Sequence, residues 1–266
     1  MLRHFFLFLP LCTLLCCESL RETEAVSPDL GLSYFPLATG NVWEYRVDSI
    51  VWFPGQGQAN RDSTSTFIRE VVADSLESPS GEVLYRVERY QRAADTLPWA
   101  PISSFLLSQN EQQALRTEGN LRMLELTFPP RPGARWPFHL YFDEYTLVDV
   151  AGEALPLFVG LELQVVDDQR AYALPDTVLQ EVVAVEEAAL DVSDRELRQY
   201  RAQYARGIGL VQREVAMLFS TCVTCCDTDG NNTYDINDDV DCGALPWPER
   251  AERGFTFRQQ LLKFEQ

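Results

Sequence analysis

The densest chemistry in the chain lies between Asp227 and Asp241, where Asp227, Asp229, Asp235, Asp238, Asp239 and Asp241 crowd together with no basic residue among them. Laid on a twelve-residue calcium loop, Asp227 takes position 1, Asp229 position 3 and Asn231 position 5. Thr233 offers its carbonyl at 7, Asp235 falls at 9 and Asp238 closes at 12. Calcium takes six to eight oxygen ligands at about 2.3–2.6 Å, and this spacing turns alternate side chains inward around a tight turn. These six residues are the candidate metal ligands and Ca2+ is the expected ion; the alternative is a solvated acidic insertion. Cys222, Cys225, Cys226 and Cys242 bracket the loop, and no cysteine lies between Cys17 and Cys222. Four cysteines in an exported chain pair as two disulfides, with three connectivities open. A bridge to Cys242 would close the neck of the loop, whereas Cys225 to Cys226 would need a strained vicinal bond. Zinc is the competing chemistry, but it favours two well-spaced pairs.

The same twelve residues resemble the calcium loop of dockerin modules, reading Asp227-Thr-Asp229-Gly230-Asn231-Asn232-Thr-Tyr-Asp235-Ile236-Asn-Asp238. Two departures limit what that implies. Asn232 stands where glycine is usual, a tolerable change because asparagine enters the left-handed region more readily than most residues. The chain also turns to Cys242-Gly243-Ala244-Leu245-Pro246 where the dockerin helix would follow. The resemblance implies calcium binding, not cohesin binding.

Other catalytic chemistry is sparse. His139 is the one histidine beyond His4, and it sits among Trp136, Phe138, Tyr141 and Phe142. A triad needs a nucleophile, histidine and carboxylate to converge, and no Gly-x-Ser-x-Gly turn supports one. Paired carboxylates at Asp143/Glu144, Asp167/Asp168 and Glu186/Glu187 could flank a glycosidic bond. With 40 acidic residues, however, such neighbours arise by chance. Zinc-histidine motifs, phosphate loops and dinucleotide fingerprints are missing. No catalytic residue and no cofactor besides calcium is therefore expected, and the chain reads as a non-enzyme. Trp43, Tyr45, Trp52, Trp99 and Trp136 could line a cavity or a sugar-binding face, but filling a β core is their commoner use.

The elements that must position these groups are strands. Val42 to Trp52 alternates, placing Trp43, Tyr45, Val47 and Val51 on one face as a half-buried strand requires. Further strands are expected at Thr64–Val72, Val83–Tyr90, Ser104–Leu107, Leu121–Phe128, Tyr145–Val150, Leu161–Val166 and Val178–Val185. Pro129-Pro130-Arg131-Pro132-Gly133 stops any regular element, since proline cannot donate to a ladder. Asp194 to Arg206 fits a helix or a strand; the strand is favoured because Leu210 to Phe219 supplies a hairpin partner across Gly207-Ile208-Gly209. The expected fold is mainly β: a single antiparallel curved sheet or barrel-like domain with few short helices.

Composition agrees. A hydrophobic share of 46% and an aromatic share of 11% can build a core, which excludes a disordered acidic tail. A net charge of −18 repels phosphate backbones and disfavours nucleic acid as a partner. Lys263 is the only lysine. Few lysines and many carboxylates suit high salt, where screening weakens surface repulsion.

The start of the chain reads as an export signal: Met1-Leu2-Arg3, then an apolar run from Phe5 to Leu15 that is too short to span a bilayer. Leu14-Leu15-Cys16-Cys17 resembles a bacterial lipobox, with Cys17 the lipidated residue. Cys16 replaces the usual small residue and is the alternative site; an ordinary cleaved signal is the other possibility. An acylated, palmitate-bearing cysteine would hold the membrane firmly, each buried methylene adding about 0.8 kcal/mol. The organisation is thus a signal at 1–16, a tether at 17–32 and a β-rich domain at 33–266 that includes the Cys-bracketed loop at 222–242.

Several segments together resemble a family of uncharacterised exported bacterial lipoproteins. They are Tyr34-Phe35-Pro36-Leu37-x-x-Gly40-Asn41-x-Trp43-x-Tyr45-x-Val47-Asp48-Ser49-Ile50, Tyr204-Ala205-x-Gly207-Ile208-Gly209-Leu210-Val211 and Ala251-Glu252-x-Gly254-Phe255. The resemblance implies a lipid-anchored, β-rich protein of the cell envelope, outer membrane included, and it carries no catalytic residues. The expected function is a non-catalytic binding or structural module with a calcium-stabilised loop, partnered by the membrane through its lipid. A protein, a glycan or an apolar molecule would be the ligand. The alternatives are a periplasmic carrier holding an apolar ligand in a curved sheet, and a carboxylate-based glycan hydrolase.

Overall fold

The computed structural model describes residues 28–54, 59–174, 177–188, 191–192, 195–221 and 245–266. The signal, Cys17, most of the tether, the four C-terminal cysteines and the acidic loop from Asp227 to Asp241 lie outside the described residues.

Six strands follow one another as a meander: β1 (Val42–Pro54), β2 (Ala59–Glu77), β3 (Val83–Arg92), β4 (Ala100–Gln109), β5 (Gln113–Glu118) and β6 (Leu121–Thr127). After β7 (Arg135–Pro137), a separate two-stranded hairpin joins β8 (Val148–Val150) to β9 (Glu153–Leu155). The second half brings β10 (Glu162–Ala173), β11 (Val178–Glu187), the short β12 (Asp191–Val192), β13 (Glu196–Ala205), β14 (Gly209–Phe219) and β15 (Arg253–Glu265). Along the main sheet the order is β6-β5-β4-β3-β2-β1-β15-β14-β13-β11-β10-β7, with β12 paired to β13. The two outer strands then approach each other. Leu124 N donates to Phe138 O at 3.0 Å, and the Trp136 indole donates to Leu124 O at 3.0 Å. The sheet is therefore a nearly closed antiparallel barrel, the expected mainly-β fold. Its described helices are a 3-10 turn at Leu32–Tyr34 and the single-turn α1 (Trp247–Arg250).

Side-chain alternation explains why the strands curl. In β1, Trp43 and Tyr45 are buried while Glu44 and Arg46 face out and pair with Arg69 and Asp48. β13 and β14 form the hairpin expected from the sequence, paired from Glu196↔Phe219 to Ala205↔Gly209 with a register shift between Gln203 and Tyr204. No strand occupies Pro129–Gly133. Other boundaries differ. The strand expected at Tyr145–Val150 begins only at Val148, because the Asp143 carboxylate accepts from Tyr145 N (2.9 Å) and the Asp143 carbonyl from Thr146 N (3.0 Å). That local aspartate turn competes with the ladder. β5, β7 and β15 carry no clear alternation in the sequence and were not expected.

β15 lies between β1 and β14, so the last strand of the chain is central in the sheet. Its entry depends on Gly254, at φ +112°, opposite Leu218 and Trp52. A Cβ there would sit 2.0 Å from Met217 O, a backbone collision that only glycine avoids. One end of the barrel is plugged by the segment before β1. Gln109 Nε2 donates to Leu32 O (2.7 Å), Gly207 N to Ser33 O (2.7 Å), and Phe35 packs 6.3 Å from the Tyr204 ring.

Candidate functional site

Charged residues inside the barrel define the site. Each occupies an inward position of its strand: Glu70 between Ile68 and Val72 on β2, Arg116 two residues after Ala114 on β5, Glu125 two after Met123 on β6, and Arg213 between Val211 and Val215 on β14. Glu125 is 1% exposed, Glu70 5% and Arg116 6%, and the Arg213 side chain is 12% exposed. Burying such groups is tolerable only when they are paired and hydrogen-bonded.

They form two linked sets. In the first, Arg89 on β3 donates through Nε (3.0 Å) and Nη2 (2.8 Å) to Glu70 and through Nη1 (2.6 Å) to Glu118. Arg116 donates through Nε (2.9 Å) and Nη2 (2.6 Å) to the other Glu118 oxygen and lies 3.8 Å from Glu70. Both guanidiniums stack over Phe105, at 4.7 and 3.9 Å from its centroid. In the second, a single oxygen of Glu125, Oε2, accepts from Arg213 Nη2 (2.6 Å), Tyr204 OH (2.9 Å) and Tyr200 OH (3.3 Å). Glu125 comes from one end of the strand order and its donors from β13 and β14, so this contact ties the two halves of the barrel together across its interior. Among the described residues, Glu125 Oε1 and Arg213 Nε are buried without a hydrogen-bond partner.

The charge states follow from position. Burial pushes the Glu70 carboxyl up, against the pull of Arg116 and Arg213. Burial also raises the Tyr45, Tyr200 and Tyr204 hydroxyls above the ordinary phenol range. For Arg213 burial works against the charge, but Glu125 and the neighbouring tyrosines outweigh it and hold the guanidinium above its usual value.

This ionic wall separates two cavities. On the plugged side a space of about 40 Å³ lies against Phe35, Trp43, Tyr45 and Leu210. On the opposite side a larger cavity of about 310 Å³ opens toward the barrel's other end. Val47, Ile68, Ile102, Met123, Phe138 and Phe257 supply its apolar wall. Its polar wall comes from Arg89, Arg116, Arg213, Glu70, Glu118 and Glu125.

The expected calcium ligands Asp227, Asp229, Asn231, Thr233, Asp235 and Asp238, the cysteines Cys222, Cys225, Cys226 and Cys242, and the expected lipid site Cys17 are outside the described residues. Among the described residues no three His, Cys, Asp or Glu side chains are grouped to hold a metal. His139 lies 3.8 Å from Glu144 and 6.3 Å edge-on to Phe142. Glu144 also accepts from Gly160 N (2.9 Å), and Glu187 accepts from Tyr200 N (2.7 Å), which gives both carboxylates structural partners. Trp43, Tyr45, Trp52 and Trp136 are buried. They belong to the core, with Trp43 and Tyr45 also bordering the smaller cavity, while Phe138 faces the larger one.

Two segments quoted in the family resemblance meet at the plug. The Trp43 indole donates to Ile208 O at 2.6 Å and Tyr45 OH to Leu210 O at 3.1 Å. No family model matches the chain, and no curated protein matches it. Two solved structures are similar to it. One is described as a candidate lipoprotein from Parabacteroides distasonis, 10% identical, covering 87% of this chain and 98% of its own, with a TM-score of 0.39. The other is described as a candidate exported protein with a YmcC-like fold from Bacteroides fragilis, also 10% identical over the same shares, with a TM-score of 0.41. Likeness of that extent carries no activity, ligand or location to this chain.

Proposed function

We infer that this chain is an exported, lipid-anchored envelope module that works by binding rather than by catalysis, and that its ligand is a small amphipathic molecule held inside the barrel. The supporting observation is the larger cavity, at about 310 Å³, in which an apolar wall faces a buried ionic one. Ligand sites are concave and mostly apolar, with a few fixed polar groups that orient the guest. A purely apolar guest fits less well, because its arrival would bury six charged groups against hydrocarbon. Hydrolysis fits less well too. Glu118 and Glu125 accept three hydrogen bonds each and Glu70 is clasped by Arg89, so these carboxylates serve neighbours rather than an open cleft. Acyl chains on Cys17, outer-membrane residence and a calcium ion at Asp227–Asp238 belong to the same proposal and rest on the sequence.

Thermal unfolding of the mature protein against a panel of amphiphiles, glycans and peptides tests it. A guest at a hundredfold its Kd adds about 2.7 kcal/mol. In a domain of this size that raises Tm by about 5–11 °C. A panel in which amphiphiles leave Tm unmoved, or in which glycans are cleaved to reducing sugar, overturns the proposal.

A further inference from the structure

The wall that crosses the barrel has an asymmetry of charge. Its three guanidiniums keep their protons at any ordinary pH, because arginine is not deprotonated in proteins. Three carboxylates, Glu70, Glu118 and Glu125, face Arg89, Arg116 and Arg213, and burial raises the Glu70 carboxyl above its ordinary value. It is buried among Arg89 on β3, Arg116 and Glu118 on β5, Glu125 on β6, Arg213 on β14 and Tyr45 on β1, and burial favours its neutral form. Glu118 and Glu125 are held by several donors each. Arg213, meanwhile, keeps a buried Nε with no partner among the described residues. The orphaned Glu125 Oε1 would favour a donor instead, but Oε2 of the same carboxylate is already paired with Arg213 and hydrogen-bonded by Tyr200 and Tyr204.

Size narrows the guest further. A volume of about 310 Å³ holds roughly ten water-sized units, at ~30 Å³ each, and a methylene is of similar bulk. That is room inside the barrel for one short alkyl chain. Resting on the binding function inferred above, we propose that the barrel binds a single-chain anionic amphiphile, its anionic head against Arg213 and Arg116 and its chain along Val47, Ile68, Met123, Phe138 and Phe257.

Isothermal titration of the full chain with three ten-carbon probes, each below its micellar concentration, tests this. Decanesulfonate carries a permanent negative charge, decyltrimethylammonium a permanent positive one, and decanol none. Decanesulfonate is expected to bind one to one, at least tenfold more tightly than either of the others. Met123→Trp, which fills the apolar side without touching an ion pair, is expected to abolish that binding while circular dichroism stays unchanged. Arg213→Gln should weaken it at least tenfold; if that variant fails to fold, Met123→Trp and the probe comparison decide alone. Tighter binding of decanol or the ammonium, lost in Met123→Trp, overturns the anion assignment and leaves the binding function standing. Decanesulfonate binding that survives Met123→Trp overturns the cavity assignment. No binding by any probe overturns both.

Discussion

Removing the charge of Glu125 should be among the most damaging single changes in this protein. Glu125→Gln keeps the shape of the side chain but strips the counter-charge from Arg213, whose Nη2 sits 2.6 Å from the carboxylate. It also turns an acceptor of three donors into a group that is half donor, facing the hydroxyls of Tyr200 and Tyr204. Breaking a buried ion pair by removing one partner costs about 3–5 kcal/mol. With about 2–4 °C per kcal/mol for a domain of this size, Tm should fall by about 6–20 °C. Arg213→Met alone should cost a similar amount, because Glu125 would then be the uncompensated charge. The double variant removes both charges and should cost less than the sum of the singles by about 2–3 kcal/mol, the coupling expected of residues in one network. Urea denaturation at neutral pH, with m-values compared across the four proteins, measures each term. A single-variant cost below about 1 kcal/mol, or strict additivity, would show that water entering through the larger cavity solvates the Arg213 guanidinium well enough to replace Glu125, and would refute the ionic coupling.

Other outcomes are equally concrete. Gly254→Ala should prevent soluble folding, since its Cβ would meet Met217 O at 2.0 Å, whereas Gly40→Ala at φ +98°, with open space around it, should cost only the backbone strain of about 1–3 kcal/mol; soluble yield and Tm distinguish them. Alkali should unfold the protein steeply. Tyr45, Tyr200 and Tyr204 stay protonated in the folded barrel but ionise near pH 10 once exposed, so their stability is intact below about pH 10 and falls above it by about 1.4 kcal/mol per pH unit for each tyrosine. Tyrosinate absorbance should therefore rise for these residues together with unfolding, not before it. Millimolar calcium should raise Tm, and Asp229→Ala should abolish that rise. Cys17→Ala should move the protein from the membrane to the soluble fraction, and mass spectrometry of the wild-type N-terminus should find the acyl chains.

Much of the sheet was legible because its strands alternate in the ordinary way. Trp43, Tyr45 and Val47 show the inward face of β1, and the β13–β14 hairpin follows from two alternating runs around Gly207. β15 was hidden for a physical reason. Its inward positions are Phe255, Phe257, Gln259 and Leu261, and the buried Gln259 interrupts an alternation that Leu261-Leu262 then blurs. The ionic wall was hidden more deeply. Glu70, Arg116, Glu125 and Arg213 each look like surface charges in their own strands, and the one local clue is that they share the inward parity of apolar neighbours such as Ile68, Ala114, Met123 and Val211. What makes those positions tolerable is pairing between strands far apart in sequence, which no window of adjacent residues contains. The expected calcium ligands posed the opposite case, a pattern plain in the sequence but outside the described residues.

The placement of β15 between β1 and β14 also sets an order of events during biosynthesis. A chain emerging from its amino end can form the β1–β6 meander and the β13–β14 hairpin early, because each pairs neighbours in sequence. The ladder between them waits for β15, whose thirteen residues pair with β1 on one side and β14 on the other. Until then β1 and β14 each present a bare edge to their surroundings, the kind of edge that recruits foreign strands. β15 thus works as a keystone. Loss of β15 would leave both of those edges open at once.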